Sequence, residues 1–99
     1  TDPSFIEKSL AIFCTNSEEL TEQLEHALQT NKLKEITAIL HKLKSSAGVT
    51  GMQRTRNLIL KTELDLKKKK LSKEAIKVMK EIIADFKECI LAIKGKSYG

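Results

Sequence analysis

Apolar residues recur along most of this chain at intervals of three and four positions, the spacing that places them on one face of an α-helix. Polar clusters interrupt this spacing at four points, so the pattern predicts five helices. The predicted helices cover approximately residues 2–14, 15–29, 32–49, 52–69 and 72–95. The apolar stripe of the fifth helix is the most regular, and it contains Ile76, Met79, Ile82, Ile83, Phe86, Cys89, Ile90 and Ile93.

Residues with strong local preferences mark the ends of the predicted helices. Asp2-Pro3 combines a capping side chain with a proline at the first helical position. Asn31 tolerates the left-handed conformation that closes a helix, and Gly51 is a natural stop for the third predicted helix. Ser72 is expected to cap the fifth helix, and Gly95 to end it.

Short links between long amphipathic helices place neighbouring helices antiparallel. The sequence therefore predicts an all-α fold: an antiparallel up-and-down four-helix bundle with a short N-terminal capping helix at one end. Residues 1–99 form a single domain, since no linker or repeat divides them. Four Gly and one Pro are too few for the turns of a β-sandwich or barrel. No apolar run is long enough for a transmembrane helix, and no segment has the pattern of a signal peptide.

The charge of the chain is uneven. Residues 1–49 carry five Lys and seven Asp/Glu, whereas residues 50–99 carry thirteen Lys/Arg and six Asp/Glu, so the net charges are −2 and +7. A positive second half favours acidic partners. The run Lys67–Lys70 is interpreted as a solvated helix end rather than a dedicated binding patch, because cations suit the negative end of a helix dipole.

The two cysteines give no sign of a metal site or of catalysis. Cys14 and Cys89 lie far apart in sequence, and neither belongs to a Cys-x-x-Cys pair or a Cys/His ligand set. Reduced thiols are therefore expected. Cys89 is predicted to be a small core residue on the stripe of the last helix, and Cys14 to end the first helix.

His41 is the residue that departs most clearly from the core pattern. At about 100° per residue it points roughly 140° away from the mean direction of the apolar residues on its helix, so it should be exposed. The same geometry groups it on one side of the helix with Thr37, Ala38, Lys44, Ser45 and Gly48. Apart from the lysine these neighbours are small, and the imidazole is expected to stand on an open strip.

This arrangement allows two interpretations. An exposed neutral imidazole is a good nucleophile, and Lys44, three residues on, could bind the oxygens of a phosphoryl group held on the ring. Gly48 lowers helix stability by about 1 kcal/mol relative to Ala, which suggests that a partner approaches closely there. The alternative is an ordinary surface histidine with Gly48 at a fraying helix end.

The stretch resembles the signature of histidine-containing phosphotransfer (HPt) domains of two-component phosphorelays. That signature is a His, a Lys three residues later, small residues and a Gly ten residues after the His, here His41, Lys44, Ser45–Gly48 and Gly51. The resemblance extends over nearly the whole chain, and Glu63 matches an acidic position in the next helix. The sequence departs from the pattern at Ser45, where many members have Gly, and at Thr62, where Leu is usual.

The resemblance implies that His41 accepts a phosphoryl group on Nε2 from a receiver-domain aspartate and passes it to another receiver aspartate. Lys44 would stabilise the phosphoryl group, and Glu63 would accept a hydrogen bond from Nδ1 of the imidazole. A hairpin between the third and fourth helices would bring His41 near Glu63, although Glu63 could instead pair with Lys67 on its own helix. The partner-docking residues would be Thr37, Ala38, Ser45 and Gly48.

On this interpretation the domain is a phosphoryl carrier and not a kinase. The sequence has no nucleotide-binding loop and no carboxylate cluster for a metal, so no cofactor is expected here, and Mg²⁺ is expected in the partner receiver domain. Contact with nucleic acid or a membrane is not expected. The domain would be cytoplasmic, either free-standing or part of a hybrid sensor kinase.

Two other functions are compatible with parts of the sequence. A basic helical nucleic-acid-binding module would use Arg54, Arg56, Lys61 and Lys67–Lys70, although stacking aromatics are scarce and no helix-turn-helix signature is present. A receiver-docking adaptor that transfers nothing would not need His41. The second histidine, His26, has no neighbouring Lys or small-residue strip and is interpreted as a surface residue.

Overall fold

The computed structural model describes residues 3–68 and 71–96, and this part of the chain forms four helices without a strand. The helices are α1 (Pro3–Gln29), α2 (Leu33–Val49), α3 (Gln53–Leu66) and α4 (Lys73–Lys96). The predicted all-α fold is confirmed. The predicted cap at Asp2 and the last two lysines of Lys67–Lys70 lie outside the described residues.

α1 is one continuous helix, so the predicted short capping helix does not exist as a separate element. The break expected between Cys14 and Thr15 is wrong. Ser and Thr near position 15 suggested a helix start, but no Gly or Pro interrupts the chain between Pro3 and Gln29. Cys14 and Ser17 are both buried, so packing continues through the predicted break and outweighs the weak local preference.

The four helices form a closed antiparallel ring. α1 packs against α2 and α4, and α3 packs against the same two helices. Among the described residues no Cα atom of α1 lies within 8 Å of one in α3, and none of α2 lies within 8 Å of one in α4, so these two pairs are diagonal. This is the predicted up-and-down bundle, and it is elongated, with extents of 45 × 21 × 18 Å.

The core is built from one apolar stripe of each helix. Phe86 is fully buried, and its ring stacks on that of Phe13 with 6.3 Å between the ring centroids. Cys14 is buried, whereas Cys89, predicted in the core, is only half-buried. Burial raises the pKa of both thiols, so both stay protonated near neutral pH.

The first turns of α1 extend past the core. The spacing of Phe5, Ile6, Leu10, Ile12 and Phe13 in the sequence predicts an apolar face, but Phe5, Ile6 and Ile12 are exposed. Ile12 faces away from the core, because it lies about 160° around the helix from the buried Cys14. α1 has 27 residues and α2 has 17. At 1.5 Å per residue their lengths are about 40 Å and about 25 Å, so the far end of α1 has no α2 beside it. The buried residues of α1 begin at Cys14.

The turns follow the predicted local preferences. Asn31 has a positive φ of 54°, and Lys32 N–H donates to the Ala27 carbonyl. Gly51 has a φ of 75°, which closes α2 and starts the short turn into α3. α4 continues through Gly95 to Lys96, so the predicted stop at Gly95 is slightly early.

α3 is shorter than predicted, since it ends at Leu66 rather than Lys69. Leu66 is the last buried residue of its stripe, and Lys67 and Lys68 after it are exposed. Within the described part of the chain, no helix combines the length and the apolar character that crossing a membrane requires.

Replacing Ser72 with Ala should lower the free energy of unfolding by about 1 kcal/mol. The Ser72 hydroxyl accepts a hydrogen bond from the Ala75 N–H at 3.1 Å, which satisfies one donor at the start of α4. Urea unfolding followed by circular dichroism measures the change. Ser72→Asp keeps a capping oxygen and should retain the wild-type free energy of unfolding. If Ser72→Ala and Ser72→Asp lower that free energy equally, the capping oxygen is not the cause of the loss.

Candidate functional site

His41 lies in the middle of α2 on the side opposite the core. The buried residues of this helix are Ile36, Ile39, Leu40, Leu43 and Ala47. The His41 side chain is 70% exposed. The exposure expected from the helical angle is confirmed.

Glu63 approaches His41 from the neighbouring helix. Its Oε2 lies 3.7 Å from His41 Nδ1, and its side chain is 17% exposed. The turn at residues 50–52 is short, so α3 runs back beside α2 and places Glu63 opposite His41. The pairing of Glu63 with Lys67 that the sequence left open is not formed, because the carboxylate faces α2.

The second oxygen of Glu63 binds Lys44. Lys44 Nζ donates a hydrogen bond to Oε1 at 2.9 Å, and the Lys44 side chain is 23% exposed. The carboxylate therefore lies between an ammonium group and an imidazole. This short charge-assisted bond fixes the carboxylate in place.

The position of the carboxylate determines which nitrogen of His41 is free. At 3.7 Å the contact with Nδ1 is electrostatic and longer than a hydrogen bond. A negative charge beside Nδ1 favours the tautomer with the proton on that atom. The lone pair is then on Nε2, on the far edge of the ring.

We use the term docking strip for His41 and the four residues for which the family resemblance implies partner docking, Thr37, Ala38, Ser45 and Gly48. All five residues are exposed on one side of α2. The Thr37 hydroxyl donates to the Leu33 carbonyl of its own helix at 3.0 Å, so it is already satisfied. The strip is a shallow surface of small side chains from which the imidazole stands out.

The chain's own packing does not require a glycine at position 48. An added Cβ would lie 3.7 Å from Nε and 3.8 Å from Cδ of Arg56, which are ordinary contact distances. Position 48 lies inside α2 and is exposed, so alanine would be more stable there. The glycine is thus unexplained by the isolated fold.

Two of the described basic residues of the nucleic-acid hypothesis, Arg54 and Arg56, extend towards different helices. Arg54 extends towards α4, where Nη1 lies 3.4 Å from Asp85 Oδ2, and Thr55 donates to the same oxygen at 3.0 Å. Arg56 instead extends towards Gly48 on α2. Lys67 and Lys68 are exposed. His26 is also exposed, as the sequence predicted.

Two contacts were not predicted from the sequence, the Lys44–Glu63 bond and the placement of Arg56 beside Gly48. A signal for the second was present, because Arg56, Leu60 and Glu63 are spaced i, i+4, i+7 and share one face of α3. Residues 3–68 and 71–96 contain no group of three His, Cys, Asp or Glu side chains that could hold a metal ion.

Comparison with known proteins gives a family for this arrangement. The family model of the Hpt domain matches residues 8–94, which is most of the chain. No curated protein and no solved structure matches significantly. The matched region includes α2 and α3, most of α1 and α4, and the cluster of His41, Lys44 and Glu63. The chain therefore belongs to the Hpt domain family, whose members are phosphotransfer carriers of two-component systems.

Proposed function

We propose that this domain is a phosphorelay intermediate in which His41 carries the phosphoryl group between two receiver domains. The observation that carries the proposal is the exposed imidazole with a carboxylate beside Nδ1. This geometry leaves Nε2 as the accessible nucleophile. The Hpt family assignment supports the same class of reaction.

In the first step the lone pair of His41 Nε2 attacks the phosphorus of a receiver's phospho-aspartate. The P–N bond forms as the bond from phosphorus to the carboxyl oxygen breaks, and the aspartate leaves as a carboxylate with that electron pair. Nδ1 keeps its proton, so the phosphorylated ring is positively charged. In the second step a carboxylate oxygen of another receiver attacks phosphorus, and the P–N electron pair returns to Nε2.

Glu63 and Lys44 support these steps in different ways. Glu63 faces Nδ1 and stabilises the positive ring of the phosphorylated state. Lys44 uses one of its three N–H donors for Glu63, and the other two can bind phosphoryl oxygens. Because both side chains are mostly buried, they are already ordered before the phosphoryl group arrives.

The receiver domain supplies the remaining parts of the reaction. In-line phosphoryl transfer needs a metal ion and neutralisation of the developing charge, and we assign Mg²⁺ to the receiver that holds the phospho-aspartate. The receiver docks on the docking strip, where small side chains leave space around the imidazole. We place the domain in the cytoplasm, either free-standing or within a hybrid sensor kinase.

The test is transfer from a receiver domain carrying radiolabelled phosphate on its aspartate, in the presence of Mg²⁺. Label should move to this chain and should be lost in acid but kept in alkali, because the P–N bond of phosphohistidine has that stability. A phospho-aspartate is lost in alkali. The absence of label on this chain with every receiver tried, or label that alkali removes, would disprove a histidine relay.

Replacing Glu63 with Gln should slow transfer about tenfold, since a group that orients a histidine typically has an effect of this size. The side chain keeps its shape but loses the charge that favours a proton on Nδ1. ¹⁵N NMR of the His41 ring should show a smaller fraction of that tautomer. Asp65→Asn removes a charge from the same helix away from His41 and should change neither quantity; an unchanged tautomer in the Glu63 variant would rule out its orienting role.

A further inference from the structure

The side chain of Arg56 lies against one end of the docking strip. Its Nε and Cδ would be 3.7 and 3.8 Å from a Cβ at Gly48, so the arginine runs beside the bare backbone of α2. The residue is half-buried. Its aliphatic part therefore packs on the bundle while its guanidinium lies next to the surface where the receiver is proposed to dock.

The position of Arg56 follows from the antiparallel pairing of α2 and α3. Arg56 precedes Glu63 by seven residues on α3, and Gly48 follows His41 by seven residues on α2. Seven residues are two helical turns, or about 10 Å. Arg56 therefore lies beside Gly48, and Glu63 lies beside His41. Because Arg56 is two turns away from His41 along the helices, its side chain does not reach a phosphoryl group on the imidazole.

Arg56 has no acidic partner within the described residues. Arg54, two positions earlier, pairs with Asp85 on α4. No carboxylate from residues 3–68 or 71–96 pairs with the Arg56 guanidinium, although the side chain is half-buried. A guanidinium has five N–H donors in a planar fork that matches a carboxylate.

We propose that Arg56 is a specificity-determining residue that binds a carboxylate on the docked receiver domain. The inference rests on the proposed function, since it needs the receiver on the docking strip. Gly48 lets the receiver surface come close to α2, and the Arg56 guanidinium beside it then meets an acidic side chain of that surface. Receivers with a carboxylate at this place are preferred over receivers with a neutral or basic residue there.

The experiment measures the initial rate of label transfer against the concentration of a phosphorylated receiver that labels the wild-type chain. The variants are Arg56→Gln and Arg56→Glu, with Lys61→Glu as the matched control. Lys61 is exposed on α3, about 140° around the helix from Arg56. The receiver concentration for half-maximal rate should rise about tenfold in Arg56→Gln and further in Arg56→Glu, as expected for losing one charge-assisted contact.

The maximal rate should stay within about twofold of wild type, because Arg56 does not touch the reacting atoms. Lys61→Glu should leave both the half-maximal receiver concentration and the maximal rate within about twofold of wild type. An unchanged half-maximal concentration in both Arg56 variants overturns the inference, and so does a fall in maximal rate alone. Arg56→Lys keeps the charge, so its receiver concentration for half-maximal rate should lie between those of wild type and Arg56→Gln. If Arg56→Glu does not fold, Arg56→Lys and Arg56→Gln together test the inference. Failure of the proposed function is a separate result, the absence of label on the wild-type chain.

Discussion

Replacing His41 with Gln should abolish the uptake of label from a phosphorylated receiver. Glutamine fills a similar volume on the exposed side of α2 and has no ring nitrogen with a lone pair, so the P–N bond cannot form. The side chain is 70% exposed, and its loss should leave the fold and the thermal unfolding midpoint nearly unchanged. The expected loss of transfer is complete, because no other group can replace a covalent carrier.

His26 provides the control for this variant. It is also an exposed histidine, but it lies on α1 and outside the docking strip. His26→Gln should take up label at the wild-type rate. Acid-labile label on the His41 variant would show that His41 does not carry the phosphoryl group. Loss of label in the His26 variant would show that His26 is needed for transfer, against the proposal.

Replacing Gly48 with Gln should slow transfer about a hundredfold while making the domain slightly more stable. A side chain at this position would hold the receiver away from the imidazole, and a displacement of about 1 Å from the reactive geometry has an effect of this size. The fold itself tolerates the change, since a Cβ meets only Arg56 at 3.7 Å. Removing a glycine from a helix should raise the free energy of unfolding by roughly 0.5–1 kcal/mol.

Opposite changes in transfer and stability distinguish docking from damage to the fold. The matched control is Gly95→Gln on α4, where an added Cβ meets nothing within 4 Å. α4 does not carry the docking strip, and among the described residues none of its Cα atoms lies within 8 Å of one in α2, so this variant should transfer at the wild-type rate. Wild-type transfer by Gly48→Gln would mean that the receiver does not cover this part of α2. Initial transfer rates and urea unfolding give the two measurements.

Much of the site follows from helical geometry that a single sequence contains. The angle of His41 relative to its helix's apolar stripe was enough to predict its exposure. The turn at Gly51 predicted that Glu63 lies near His41, because a short hairpin fixes which residues of two antiparallel helices are opposite, but it left Lys67 as an alternative partner of Glu63. These features depend on the 3.6-residue period of the α-helix and on Gly51, which permits a positive φ.

The features that the sequence did not predict depend on how whole helices pack. Lys44 was assigned to the phosphoryl group, and its bond to Glu63 appears only once α3 is in place. The break near Cys14 was predicted from local preferences, which burial of Cys14 and Ser17 overrides. The exposure of Ile6, which lies on the same side of α1 as the buried Leu24, depends on the lengths of neighbouring helices, which the pattern within α1 does not contain.

The unequal lengths of the helices give α1 two different stabilities along one continuous backbone. From Cys14 onwards its hydrogen bonds are protected by the core, and their amides exchange with solvent only when the bundle opens. Near Phe5 and Ile6 the helix has little tertiary support, and a short helix alone is only marginally stable in water. The first turns can therefore fray and re-form without disturbing the bundle beneath His41.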